Sequence, residues 1–340
     1  MIDAGIRSAV LLVGGLGTRL RPLTYARPKP ILPVVNIPLV GHQLLWFAAQ
    51  GVRRVRLAAG YGAEQVREEL SRRDWGLTVE VIVEEQPLDT AGALKLAGGD
   101  LHEPFFATNG DILLNAPLAP MAAAQAAAGA TASILLRRVD DVSHYGLVVR
   151  DDVGHVAAFL EKQPTDPSGQ NTVNAGVYLL QPDALDFVPE GTSWSVERQL
   201  YPDLLAAGRT VLGHVPEAPY YWLDVGRMET YLQAHLDLLD GAVEWFEPDV
   251  APGDEVTGAW RGLGPLAMGE GCSIGDGAIL GPNVCLGRNV KIGAGAQVAS
   301  SVLWDGAEVG EGARLEKVIV AGDARVGAGQ TLFDRIVMGP

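Results

Sequence analysis

The sequence predicts two architectures in one chain: an α/β unit on a mixed, mainly parallel sheet, then a parallel β-helix. Three observations carry this expectation. From Ser8 to about Leu239, short β-rich runs alternate with helical patterns, as in βαβ units. Residues 241–265 are rich in glycine, proline and acids and read as a linker. Beyond them the apolar period changes to six. The expected division is therefore residues 1–240, a linker at 241–265 and a repeat region at 266–340.

In chain order, residues 9–13 form an apolar run that reads as the first strand, closed by a glycine-rich turn. Residues 38–50 read as a helix, 55–59 as a strand, 62–73 as a helix and 77–83 as a strand. A strand at 104–108 and an alanine-rich helix at 117–128 follow. After Thr131 the pattern gains strands at 146–150, 156–161 and 173–180, an insertion that suggests a second lobe forming a cleft. Residues 227–239 close the region as a helix with a leucine-rich face.

In the repeat region Met268, Ile274, Leu280, Leu286, Ile292 and Val298 fall six apart, commonly followed by glycine. A one-residue slip leads to Leu303, Val309 and Leu315, and another to Val320, Val326 and Leu332. Small or apolar residues recur four places later, as at Val284, Val290 and Ala296. About twelve such repeats make about four coils, each stacking on its neighbours.

Composition excludes several classes of function. The 340 residues carry 41 acidic and 26 basic side chains, a formal charge of −15, which argues against a surface that grips nucleic acid. One small phosphorylated ligand is still allowed, because a bound Mg²⁺ can supply local positive charge. A hydrophobic content of 48% excludes a disordered chain. Cys272 and Cys285 are too few for a disulfide scaffold and lack zinc spacing. No stretch reaches eighteen uninterrupted apolar residues, so the expectation is a cytoplasmic protein with no membrane partner. The scattered histidines, the tryptophans and both cysteines read as core, surface or packing residues.

The residues suited to chemistry begin at the first turn, V-G-G-L-G-T-R-L-R-P-L-T, followed by P-K-P at residues 28–30. Gly14, Gly15 and Gly17 let backbone N–H groups approach phosphate oxygens closely, and Arg19 and Lys29 add charge. The pattern is neither a P-loop nor a dinucleotide fingerprint. Five lysines stand against 21 arginines, so a lysine at a phosphate-binding position is a compositional exception. Asp111 and Asp224 each follow apolar, strand-like residues near glycine, and two hard carboxylates suit Mg²⁺.

Together, G-G-x-G-T-R-L-x-P-L-T and P-K-P resemble the sugar-1-phosphate nucleotidylyltransferase (nucleotide-sugar pyrophosphorylase) family. The resemblance extends through E-E-Q-P-L-D-T-A-G at 84–92, N-G-D at 109–111, Y-G at 145–146, E-K at 161–162, N-A-G at 174–176 and W-L-D-V-G at 222–226. Its closest branch is the mannose-1-phosphate guanylyltransferases, whose members also end in hexapeptide repeats. It implies a Rossmann-like nucleotidyltransferase domain followed by a left-handed parallel β-helix, with oligomerisation through the latter. It also implies nucleotide contacts from Gly14, Gly15, Gly17, Thr18, Arg19, Glu85, Gly92 and Asp111. Gly146, Glu161, Lys162 and Asn174 would bind the sugar phosphate, and Asp111 and Asp224 would hold Mg²⁺. The catalytic set is then Arg19, Lys29, Asp111, Lys162 and Asp224.

An ionised Glu85 accepts hydrogen bonds only, which suits the two adjacent donors of guanine better than thymine. Two departures stand out: Asp89 occupies a position where glycine is usual, and E-K-Q-P has one residue more than the usual E-K-P. The expected reaction is GTP with mannose 1-phosphate. The runners-up are glucose with dTTP, UTP or ATP, and a non-catalytic sensing subunit. Hexapeptide β-helices also carry acyltransferases, which commonly use a histidine base, but none of the six histidines lies in the repeats.

Overall fold

The structure, a computed structural model, describes residues 5–143, 146–160, 165–166, 168–247, 256–257 and 260–339. The chain forms two compact units, one of residues up to Gly15 with Gln43–Trp222, the other of Leu16–His42 with the residues from Leu223 on. Among the described residues no helix is long and apolar enough to cross a membrane.

In the first unit Ser8–Leu12 is a central strand, flanked in parallel by Arg54–Ala59 and Phe105–Asn109. Thr78–Val83 extends the parallel set beyond Arg54–Ala59. Ala9, Val10 and Leu11 are all buried, the continuous apolar reading of a parallel strand covered on both faces. Thr172–Leu180 enters antiparallel beside Phe105–Asn109 and pairs on its other side with Ala132–Arg138 and Leu147–Arg150, making the sheet mixed. Helix Ala63–Ser71 buries Ala63, Val66 and Leu70, one stripe at helical spacing, and turns Glu64, Arg67 and Glu68 to solvent.

The sequence pattern leaves helix Asp89–Gly98 unassigned, although it forms the second half of the E-E-Q-P-L-D-T-A-G segment. Burial of Ala91, Gly92, Ala93, Leu94, Ala97 and Gly98 covers most of its surface, so it shows little amphipathic stripe. Its first residue, Asp89, has φ +56° and no side chain caps the start, so the usual N-terminal signature is missing too.

In the second unit, parallel strands stack in successive coils. Leu266 pairs with Val284 and Ile279 with Gln297, eighteen residues on, whereas Cys285 pairs with Val302 and Glu308 with Arg325, seventeen residues on. Three hexapeptides make eighteen residues, and the slips between Val298 and Leu303 and between Leu315 and Val320 each shorten the coil that contains them by one. Leu280, Leu286, Val298 and Leu303 point into the core, and Val284, Val290 and Ala296 are buried beside them. This is a parallel, coiled stack as the six-residue period requires.

The same unit contains the signature segment. A hairpin pairs Pro33–Val34 with Ile37–Pro38 through a tight turn with φ +45° at Val35 and +61° at Asn36. Helix Met228–Leu239 lies behind it: the Val35 N–H donates to His235 Nδ1 at 3.1 Å, and the Tyr231 hydroxyl donates to the Pro33 carbonyl at 2.5 Å.

His235 is fully buried, and burial, reinforced by nearby His42, pushes its imidazole pKa down to about 3. An unfolded chain takes up that proton near pH 6.5. Stability is therefore full above about pH 6.5 and drains as pH falls from there towards 3. Urea midpoints at pH 7.5, 6 and 5 should fall in that order. His235→Asn, which keeps an acceptor and removes the titration, should flatten the slope; equal slopes in both proteins would refute the assignment.

Candidate active site

Four parallel strands of the first unit end side by side: Leu12 pairs with both Ala58 and Asn109, and Ala59 with Val83. The residues just beyond those ends are Gly14–Gly15, Gly60, Glu84 and Asp111. In open α/β sheets this carboxyl edge is where ligands bind. The Gly110 N–H donates to the Leu12 carbonyl at 2.9 Å, fixing Asp111 immediately after this edge with its side chain partly exposed. Gly14 cannot be replaced without movement, because an added Cβ would lie 2.6 Å from Glu84 Oε1. Burial pushes the Glu84 carboxyl above the ordinary carboxylate range, with the Leu88 N–H acting in the opposite sense. Glu85, by contrast, is exposed.

A cleft of about 250 Å³ opens between Gly146, Phe159, Leu160, Asn174, Glu197 and Arg198. A second, of about 360 Å³, shares Glu197 and Arg198 and continues past Thr90, Asn109 and Tyr178. Asn174 sits where the register of Thr172–Leu180 slips against Ala132–Arg138. Its Nδ2 donates to Glu197 Oε1 at 2.5 Å and to the Tyr178 hydroxyl at 3.0 Å, while its Oδ1 accepts the Gly176 N–H at 2.8 Å. The amide is thus held in one orientation. Burial, and then the Glu197 charge, raise the Tyr178 phenol far above its ordinary range, so it stays neutral as an acceptor for Asn174.

Asp89 explains its own departure from the family pattern. Its φ of +56° is a left-handed conformation that glycine adopts freely and aspartate tolerates. In return the carboxylate binds Arg198 Nη2 at 2.7 Å and the Thr90 N–H at 2.6 Å, tying this turn to the wall of the cleft. Gly92 is bound into the protein rather than open: its N–H and that of Ala91 both donate to the Trp194 carbonyl, at 3.1 and 2.7 Å.

In the second unit, Gly17 has φ +60°, and an added Cβ would lie 2.9 Å from Lys29 Cβ and from Thr24 Cγ2. Lys29 is therefore packed against the turn that carries Thr18 and Arg19. Thr24 Oγ1 donates to the Gly17 carbonyl at 3.0 Å and closes this turn. An added Cβ at Gly226 would lie 2.6 Å from Asp224 Oδ1 and 3.0 Å from Arg19 Nη2, so the carboxylate and the guanidinium flank one glycine.

Within the first unit the structure thus places Gly14, Gly15 and Asp111 at one sheet edge and Gly146 with Asn174 on one cleft. Within the second it gathers Gly17 with Lys29 and Arg19 with Asp224. Glu161 and Lys162 lie outside the described residues. Sequence reasoning missed Glu197 and Arg198, which line both clefts. They sit on a π-helical turn, Val196–Leu200, a geometry common near functional sites but without a sequence period of its own.

A mixed sheet with a glycine turn after its central parallel strand, an aspartate beyond a neighbouring strand and a cleft lined by a fixed asparagine makes this an α/β protein whose ligand edge is the carboxyl end of the parallel strands. The chain belongs to the nucleotidyl transferase family, which matches residues 8–241. Residues 263–340 match the GMPPB C-terminal domain. Among curated relatives, the mannose-1-phosphate guanylyltransferase of Mycobacterium tuberculosis is 38% identical over 68% of this chain and 65% of its own length. The probable mannose-1-phosphate guanylyltransferase 2 of Arabidopsis thaliana is 36% identical over 78% of this chain and 74% of its own. Among solved structures, HddC from Yersinia pseudotuberculosis complexed with GMP-PN superimposes with a TM-score of 0.57 at 27% identity, covering 67% of this chain and 98% of that one.

Proposed function

We propose that the chain is a mannose-1-phosphate guanylyltransferase, joining GTP and mannose 1-phosphate to give GDP-mannose and pyrophosphate. Similarity to relatives of that name along 78% of the chain, with both regions matched to their families, carries this reading. A guanine nucleotide bound in the similar HddC structure supports the base, as does the acceptor-only chemistry of Glu85.

A phosphate oxygen of the sugar 1-phosphate attacks the α-phosphorus of GTP. A new P–O bond forms there, and the bond to the β-phosphate oxygen breaks, releasing pyrophosphate. The attacking phosphate is already ionised near neutral pH, so no general base is needed. Rate enhancement then rests on alignment and charge neutralisation. The N–H groups of Gly14, Gly15, Gly17 and Thr18, with Arg19 and Lys29, hold the triphosphate and take up charge on the leaving pyrophosphate. Gly92 shapes the base pocket through its packing. Asn174, held by Glu197 and Tyr178, presents a fixed polar edge to the sugar hydroxyls, beside Gly146. Glu161 and Lys162 keep the sugar and phosphate roles the resemblance implies.

The donor set fits a hard divalent cation, because Asp111 and Asp224 offer only carboxylate oxygens, which suit Mg²⁺. Bound there, Mg²⁺ would supply Lewis-acid neutralisation of phosphate charge. The division into a catalytic domain at 1–240, a linker at 241–265 and a left-handed β-helix at 266–340 belongs to the same reading, as do a cytoplasmic location and self-association through the coils. Family matches at 8–241 and 263–340 support that division.

Pyrophosphate release across a matrix of nucleotides and sugar phosphates tests the assignment. GTP with mannose 1-phosphate should exceed every other pair by at least about tenfold in kcat/KM. A preference for dTTP would remove the Glu85 argument, and no turnover with any pair would favour a sensing subunit.

A further inference from the structure

We propose that Trp304 of the coil region is a positioning residue for the Pro28–Lys29–Pro30 segment, so that the coils set the geometry of the phosphate-binding lysine. This rests on the role given to Lys29 above.

The repeat itself points to Trp304. The residue after the inward apolar position is glycine at 281, 287, 293 and 310 and alanine at 299 and 321, yet after Leu303 it is tryptophan. Packing of the coil does not demand this, since the coils stacked on either side carry small residues at the same place, Gly287 and Ala321. The side chain is nevertheless 97% buried, its exposure being 3%. Its indole Nε1–H donates to the Tyr231 hydroxyl at 3.1 Å, and that hydroxyl donates to the Pro33 carbonyl at 2.5 Å. The ring also lies against Arg27, whose guanidinium carbon is 5.7 Å from the ring centroid.

One indole therefore touches the residue just before Pro28–Lys29–Pro30 and, through one hydroxyl, the carbonyl that follows three residues after it. A separate pair of contacts fixes the hairpin beyond. Asn36 Nδ2 donates to the Leu286 carbonyl at 2.8 Å, and the Cys285 thiol donates to Asn36 Oδ1 at 3.4 Å. Lys29 is thus bracketed on both sides by anchors from the coils. Its stem is packed against Gly17, so a shift of this segment moves the lysine and the Thr18–Arg19 turn together.

The test is binding of inorganic pyrophosphate by the full-length chain, read by calorimetry, alongside steady-state kinetics. Trp304→Phe keeps a ring for Arg27 and removes the N–H. It should weaken pyrophosphate binding and raise the nucleotide KM about tenfold, while the KM for the sugar 1-phosphate stays within twofold. Added to Lys29→Met, the same substitution should have no further effect, because its consequence passes through the lysine. Arg27→Gln reads the contact from the other partner and guards against a Trp304 variant that fails to fold. Wild-type protein that binds no pyrophosphate would remove the phosphate role of Lys29 and this inference with it. Unchanged binding in both variants, or equal losses with and without Lys29, would overturn the inference alone.

Discussion

Asp111→Asn is expected to lower pyrophosphate release by at least about a thousandfold, or about 4 kcal/mol of transition-state stabilisation. The substitution keeps the shape of the side chain and removes its charge. The backbone on either side is held without that carboxylate: the Gly110 N–H donates to Leu12, and the strand before it is held by its ladder to Ser8–Leu12. The melting temperature should therefore stay within a few degrees of wild type. A structural role would give the reverse, a lowered melting temperature with turnover reduced only in proportion to unfolded protein. Near-normal turnover in a well-folded Asp111→Asn protein would sink the assignment of this carboxylate. The comparison with Asn174 is informative, since that side chain is neutral and already satisfied by Glu197, Tyr178 and Gly176. Its loss should raise the sugar-phosphate KM more than it lowers kcat.

Features encoded in local chain chemistry were legible in the sequence. The apolar run is consecutive and forms a strand where its pattern lies, and Gly17 takes the positive φ of a turn just beyond it. The six-residue period even located the one-residue slip that shortens the coils from eighteen residues to seventeen. Features created by tertiary packing were not legible. Asp89–Gly98 is a helix because the sheet and the Trp194 carbonyl enclose it, and enclosure erases the stripe that would announce it. Glu197 and Arg198 reach the cleft because Val196–Leu200 winds as a π-turn, so counting by 3.6 would aim them elsewhere. Trp304 reads as an ordinary packing residue until its partners, 73 residues away at Tyr231 and far upstream at Arg27, are seen. Asp89 lies between these cases. The departure from glycine is plain in the sequence, but the Arg198 contact that compensates for its conformation comes from 109 residues away.

A chain cut after Gly241 should fail to fold cooperatively, and its turnover should fall by at least about a hundredfold. The coils look detachable in sequence, yet the cut removes partners of groups buried on the amino-terminal side of it. His42 is fully buried beneath Phe246, whose ring centre lies 4.8 Å away edge-on, and beneath Trp245 at 5.6 Å. Both aromatic rings would be lost. Tyr231 would lose Trp304, and Asn36 would lose the Leu286 carbonyl. The Asn283 bond to Asp240 would go too, but both ends of it face solvent and its loss costs little. Exposing each large apolar side chain costs about 1.5–3 kcal/mol, and each buried polar group left without its partner about 1–3 kcal/mol. Several such losses together are comparable with the whole stability of a domain, about 5–15 kcal/mol. Urea unfolding followed by circular dichroism, with dye binding to exposed apolar surface, reads the outcome directly. A sharp transition within a few degrees or a few tenths molar of wild type would refute it. If the cut chain does lose its fold, its light scattering says nothing about self-association through the coils. Assembly must then be tested in the full-length chain with surface substitutions such as Phe333→Glu, where the side chain is 57% exposed on the last strand.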